Sequence, residues 1–244
     1  MWTWFNKLAS PPHFYRLAGT LAPWFGWIAG ALIIAGLYGG LVLAPADYQQ
    51  GDAFRIIYVH APSAWMSLFI YVVMALSAAI GFIWRMKLAH AVAAASAPIG
   101  ASFTLATLVT GALWGQPMWG TWWAWDPRLT SELILLFLYI GYMALRASMD
   151  DLQRADRASA VLAIVGLVNV PIIHYSVVWW NSLHQVSSVT RLGKPTISTS
   201  MLVPLLVMFL AFTLYYVAVL LVRVRAEVLR RERNAGWVRE LVHA

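Results

Sequence analysis

Six near-continuous apolar runs constrain this chain more than any other feature: Leu21 to Leu43, Ala61 to Trp84, Val92 to Trp114, Thr130 to Leu145, Ala158 to Trp180 and Met201 to Val222. About 20 apolar residues at 1.5 Å rise cross a ~30 Å hydrocarbon core as a helix. Lipid offers no hydrogen bonds, so each run must satisfy its own backbone, which a helix does. The expected fold is therefore all-α, an integral membrane protein with six transmembrane helices. Charged residues make up 11% of the 244, against about 25% in a soluble domain, too few to cover a water-facing surface. The fourth run is short and opens on Thr130, Ser131 and Glu132, so its outer end is expected to lie in protein or near headgroups.

The 17 Lys and Arg sort by side. Thirteen fall with the N-terminus, residues 85 to 91, residues 146 to 157 and the tail from 223 to 244. Only Arg55, Arg128, Arg191 and Lys194 fall on the other side. Basic residues mark the cytoplasmic face, so both termini are expected there and the Trp-rich loops in a bacterial periplasm, the protein being a multi-pass component of the inner membrane. The +7 net charge is then an orientation signal, and no nucleic-acid partner is expected. Ala44, Pro45 and Ala46 resemble a cleavage site, but the preceding 23-residue run exceeds the ~7 to 15 residue core of a cleaved signal; the helix is expected to be retained. Residues 1–244 read as one six-helix membrane domain with a tryptophan-rich loop at 115–129 and a basic tail at 223–244.

That loop carries Trp119, Trp122, Trp123 and Trp125, followed by Asp126 and Arg128. Single interfacial tryptophans are ordinary anchors. Four within seven positions, framed by Gly115, Gly120 and two prolines, form a surface suited to a large flat apolar ligand. His60 and His184 lie at the outer mouths of spans two and five, on the same side. Two imidazoles at one depth can hold haem iron from both faces, although a lone histidine at a helix end is commonly a hydrogen-bonding interface residue. Haem also needs donors for two propionates; Arg128 is best placed, Arg55 is a second candidate, and a helical i,i+4 pair of Arg128 with Glu132 is the competing role. His174 lies deeper, near Asn169 and Pro171, as either a functional group or a packed core histidine. With no Cys, a thioether-linked haem, disulfides and thiolate sites are excluded. Any haem would be b-type and non-covalent.

The run Trp119, Gly120, Thr121, Trp122, Trp123, Ala124, Trp125, Asp126 resembles the tryptophan-rich signature of the haem-handling protein superfamily of cytochrome c maturation. The stretches Pro45 to Gly51 and Pro171 to Ser176, together with six spans and two outer histidines, resemble its six-span branch over essentially the whole chain. The resemblance implies a non-enzymatic protein that presents haem at the periplasmic face and passes it to a membrane-anchored haem chaperone. It also implies partners in an ABC transporter of the same pathway and a small single-span accessory protein. Under it the axial ligands fall on His60 and His184, and the haem platform on Trp119, Trp122, Trp123, Trp125 and Asp126. Two other classes compete. A haem-b electron-transfer anchor would place its histidines well inside the spans, and a transporter permease would need longer cytoplasmic loops than 7 and 12 residues. An enzyme has least support, since no nucleophile and base pair is evident.

Overall fold

The computed structural model describes residues 10–184 and 197–243. Of the outer-side cations, Arg191 and Lys194 lie outside those residues. Helix α1 (Pro11–Tyr38) begins on two prolines, which suit the first helical positions because their missing N–H would have no partner there. It continues into a wide π-type turn, Gly39–Leu43. A short 3-10 segment, Asp52–Ile56, leads into α2 (Ile57–Trp84), and α3 spans Lys87–Trp119. Helix α4 covers Pro127–Ala147, α5 Leu152–Gly166, α6 Asn169–Trp179, α7 Thr199–Arg231 and α8 Gly236–His243. No strand occurs among the described residues, and six helical segments are long and apolar enough to cross a membrane.

The helices outrun the apolar runs at most ends. A helix keeps its hydrogen bonds beyond the hydrocarbon boundary until a local stop signal appears, and the stops are visible. Gly120, at φ 73°, takes the left-handed conformation that ends α3, its N–H bonding the Gln116 carbonyl at 3.0 Å. Asp126 restarts the chain as the cap of α4, with Pro127 at its first position.

The fifth apolar run forms one span, Leu152–Trp179, but its helical ladder is broken between α5 and α6 at Leu167 and Val168. Pro171 accounts for the break. It lacks an N–H, and its ring clashes with the carbonyl four residues back, which belongs to Leu167. Asn169 then donates to the Ser131 carbonyl at 2.9 Å, pinning the break to α4.

With lipid as apolar as the side chains, helix association depends on close packing and interhelical hydrogen bonds. The core lies among α2, α3, α4 and the α5–α6 pair, around Tyr71, Tyr139, Tyr142, Met66, Met74 and Leu135. The Tyr139 hydroxyl donates to the Ser67 carbonyl at 2.8 Å, tying α4 to α2. At the end where α1 starts and α7 finishes, Asp156 accepts from Arg146 and from Arg231 at 2.7 and 2.8 Å, while Glu227 accepts from Arg231 and Arg230. The opposite end holds the aromatic loop and its histidines.

Candidate functional site

The tryptophan segment is shorter as a loop than the 115–129 expected: Gly115 to Trp119 belong to α3 and Pro127 onward to α4. In the remaining turn the Thr121 hydroxyl donates to the Trp123 carbonyl at 2.8 Å and fixes the backbone. Trp122 and Trp125 are 60% and 77% exposed. Trp123 is half-buried, meets Trp125 edge-on at 5.5 Å, and has an indole N–H that is buried without a partner. Trp119 turns inward against His184, ring centroids 4.9 Å apart.

Asp126 organises this end. Oδ1 accepts from the Arg128 amide at 2.8 Å, which caps α4, and lies 3.2 Å from His184 Nδ1. Oδ2 accepts from the Ser182 hydroxyl at 2.7 Å and the Leu183 amide at 2.8 Å. One carboxylate thereby joins the Trp loop, α4 and the segment after α6. Burial alone would raise the Asp126 carboxyl. Hydrogen bonds from Ser182 and Leu183, the neighbouring His184 and the Arg128 amide outweigh that and hold it below the ordinary carboxylate range. His184 is held below the ordinary imidazole value, chiefly by burial; Asp126 opposes this, and the Arg128 cation reinforces it.

His60 sits in the first turns of α2, inside the helix rather than ahead of it. Its Nδ1 is 2.9 Å from the Thr110 hydroxyl of α3, and that hydroxyl is 2.6 Å from the Ala106 carbonyl. With the hydroxyl proton on the Ala106 carbonyl, the compatible tautomer is the one in which His60 Nδ1 carries the hydrogen and donates. At His184 the acceptor is a carboxylate, which leads to the same tautomer. Both imidazoles therefore keep the Nε2 lone pair free, as an axial metal ligand requires, with the other nitrogen held by an acceptor. Trp114 braces His60 edge-on at 5.6 Å, and its indole N–H donates to Gln50 Oε1 at 2.9 Å. Each histidine thus has one tryptophan of α3 against it.

Arg128 is near enough to both imidazoles to act on them electrostatically. The competing i,i+4 ion pair with Glu132 is not formed: among the described residues no Arg128 nitrogen comes within 4.0 Å of a carboxylate, and Glu132 Oε1 is buried without a partner. Arg128 lies at the imidazole end, whereas Glu132 is buried beside Ser67 of α2. Arg55 donates to the carbonyls of Gly40 and Ala44 at 3.0 and 2.8 Å and to Asp52 at 2.8 Å, closing the π-type turn. His174 is neither packed nor central: Ile173 and Ser176 face inward, and His174 is exposed beside Tyr175, 4.8 Å between rings. Thr110, Trp114, Gln50 and Ser182 were missed in the sequence; only the i,i+4 spacing of Thr110 and Trp114 hinted at a shared face.

Fold and site together define a multi-pass membrane protein with an open aromatic and imidazole surface at one end of its helices. The sequence model of the family described as heme exporter protein C matches residues 4–239, and the chain belongs to that family. It is 48% identical to heme exporter protein C of Haemophilus influenzae over 241 residues, 99% of this chain and 98% of that protein. The namesake of Escherichia coli K12 is 48% identical over 242 residues, again 99% and 98%. That of Bradyrhizobium diazoefficiens is 50% identical over 224 residues, 92% and 85%. The protein is a multi-pass component of the bacterial inner membrane in the cytochrome c biogenesis system.

Proposed function

We propose that the chain binds haem as cargo at the periplasmic face of the inner membrane and hands it to a membrane-anchored haem chaperone during cytochrome c maturation. One observation carries this reading: His60 of α2 and His184 of the segment after α6 each have Nδ1 beside an oxygen, at 2.9 and 3.2 Å, the arrangement whose Nδ1–H tautomer leaves the Nε2 lone pair for a metal. Haem supplies an iron with two axial positions that suit such a pair. No cluster of three or more His, Asp or Glu fit to hold a bare metal ion occurs among the described residues, so a macrocycle that completes the iron's coordination is the better match.

Trp122 and Trp125 offer apolar area to the ring, and Arg128, with the unpartnered Trp123 N–H, offers donors for propionates. Arg55 acts at the site through the turn it closes and is a weaker propionate candidate. The exposure of the platform suits a carrier that must release what it holds. The bound haem is non-covalent and b-type, and the basic end faces the cytoplasm. ABC transporter subunits of the pathway and a small single-span protein complete the assembly, for which exposed apolar faces such as that of α6 are available.

The test is the absorption spectrum of the full-length protein purified with haem. Wild type should show a low-spin bis-imidazole spectrum, and His60→Ala and His184→Ala should each lose it. An unchanged spectrum in both variants would overturn the assignment.

A further inference from the structure

Glu132 is a buried carboxyl near the site and has no role in the arrangement above. It is 5% exposed, its Oε1 is buried without a partner, and it lies one turn of α4 below Arg128. An ionisable group at membrane depth is costly and marks function by default. Ser67 of α2 lies beside it, but the Ser67 hydroxyl donates to the Ala64 carbonyl at 2.8 Å. On the other side is Arg128, close enough for the two charges to feel each other yet bonded to no carboxylate among the described residues. Asp126, the second carboxylate near that guanidinium, has no capacity to spare. It already accepts from the Arg128 and Leu129 amides, Ser182, the Leu183 amide and His184.

From this geometry we propose that Glu132 is an intramolecular competitor for the Arg128 guanidinium, weakening its hold on an incoming ligand carboxylate so that the cargo can leave. The inference rests on the haem reading above, with a propionate as that carboxylate. Residues at i and i+4 of a helix face each other, so a small swing of the guanidinium exchanges an external carboxylate for Glu132. In the structure the two side chains are not in contact, so the exchange requires that swing, with Glu132 poised one turn away as the guanidinium lets its ligand go. Glu132 touches no cargo; it is a positioning residue acting through Arg128.

The sign of the expected effect separates this role from a structural one. Removing a competitor tightens binding, whereas removing a structural support loosens it. The full-length protein in detergent is loaded with hemin, and transfer to excess apomyoglobin is followed by the Soret shift. E132Q should release haem roughly threefold to tenfold more slowly, a change in off-rate of the size expected from one nearby charge, with its bis-imidazole spectrum unchanged. Glu132→Leu provides an uncharged apolar replacement with the same expectation should Gln fold poorly. In an Arg128→Gln background the substitution at 132 should no longer matter, because coupling between the two is what the cycle measures. Release at or above the wild-type rate in E132Q or E132L overturns the proposal, as does an effect that persists undiminished without Arg128. If His60→Ala and His184→Ala leave the spectrum intact, the haem reading itself has failed; if they abolish it while E132Q releases normally, only the role of Glu132 has failed.

Discussion

The Nδ1 atom of His184 lies 3.2 Å from the Asp126 oxygen that caps α4. A helix start and a candidate metal ligand therefore depend on one carboxylate. Asn at 126 can still cap α4 through its carbonyl oxygen, but its amide nitrogen would face the Leu183 N–H, and the second acceptor is lost. D126N should therefore retain the fold and a neutral acceptor for His184 Nδ1, but lose the Oδ2 bonds from Ser182 and the Leu183 amide that seat the His184 segment, and bind haem about tenfold or more weakly. D126A should also lose the cap, about 1 kcal/mol, and unfold at lower temperature. Haem titration and thermal denaturation in detergent check the pair; wild-type affinity in D126N would refute the orienting role.

Thr110 performs the same task for His60 with a hydroxyl in place of a carboxylate. Thr110→Val keeps the shape and removes the acceptor 2.9 Å from Nδ1, freeing the ring to adopt either tautomer. Weaker haem binding of the same order is expected, about tenfold or more, without loss of thermal stability, since Val fits a lipid-embedded helix at least as well. The measurement is a hemin titration beside a melting curve.

Much of this was legible in the sequence, and the parts that were not have identifiable causes. Hydropathy located six spans because the hydrocarbon thickness sets a length; it did not locate their ends, which depend on Gly120, Asp126 and Pro127. The break in the fifth span was written in Pro171, whose effect falls four residues earlier at Leu167. Trp119 to Asp126, His60 and His184 stood out because their residue types are unusual for a membrane loop. Thr110, Gln50 and Ser182 did not, because each acts across 50 or more residues of chain. The competing role of Arg128, a pair with Glu132, is not formed because helical spacing permits an ion pair but tertiary surroundings decide it.

Acidification should strip haem only well below neutrality. A protonated imidazole cannot ligate iron, and burial together with Arg128 holds His184 below its ordinary value against the pull of Asp126. The neutral, ligating form thus persists as pH falls through the ordinary imidazole range and is lost only below the depressed value. Arg128→Gln removes a cation that favours the neutral ring, so its loss of the bis-imidazole spectrum should begin at higher pH than in wild type. A spectral pH titration of both proteins decides; an edge that stays fixed or moves to lower pH counts against the argument.

Close packing in the core gives a prediction independent of haem. A Cβ on Gly100 of α3 would overlap the Tyr139 ring, which is fully buried. Gly100→Ala must displace that ring and with it the 2.8 Å bond to the Ser67 carbonyl. Overpacking of this kind costs about 1–3 kcal/mol. A lower melting temperature is expected, with normal haem spectra in the fraction that folds.

The ionic cluster at the opposite end yields the largest expected change. The Asp156 side chain, 8% exposed, faces Arg146 and Arg231, which are 12% and 6% exposed, and Glu227 completes the group by bonding Arg231 at 2.8 Å. Arg230, exposed, also bonds Glu227, so the buried part of the group is two cations facing two carboxylates, drawn from α4, α5 and α7. Asp156→Asn leaves two guanidinium groups against a single carboxylate in a site with little water. Removing one partner of a buried pair costs about 3–5 kcal/mol, because the remaining charge stays desolvated. Replacing the group as a whole avoids that residue of charge: D156N combined with Arg231→Gln should recover part of the loss. Thermal denaturation of the single and double variants tests this directly, and a double variant no more stable than D156N would show that hydrogen-bond geometry, and not charge balance, holds the three helices together.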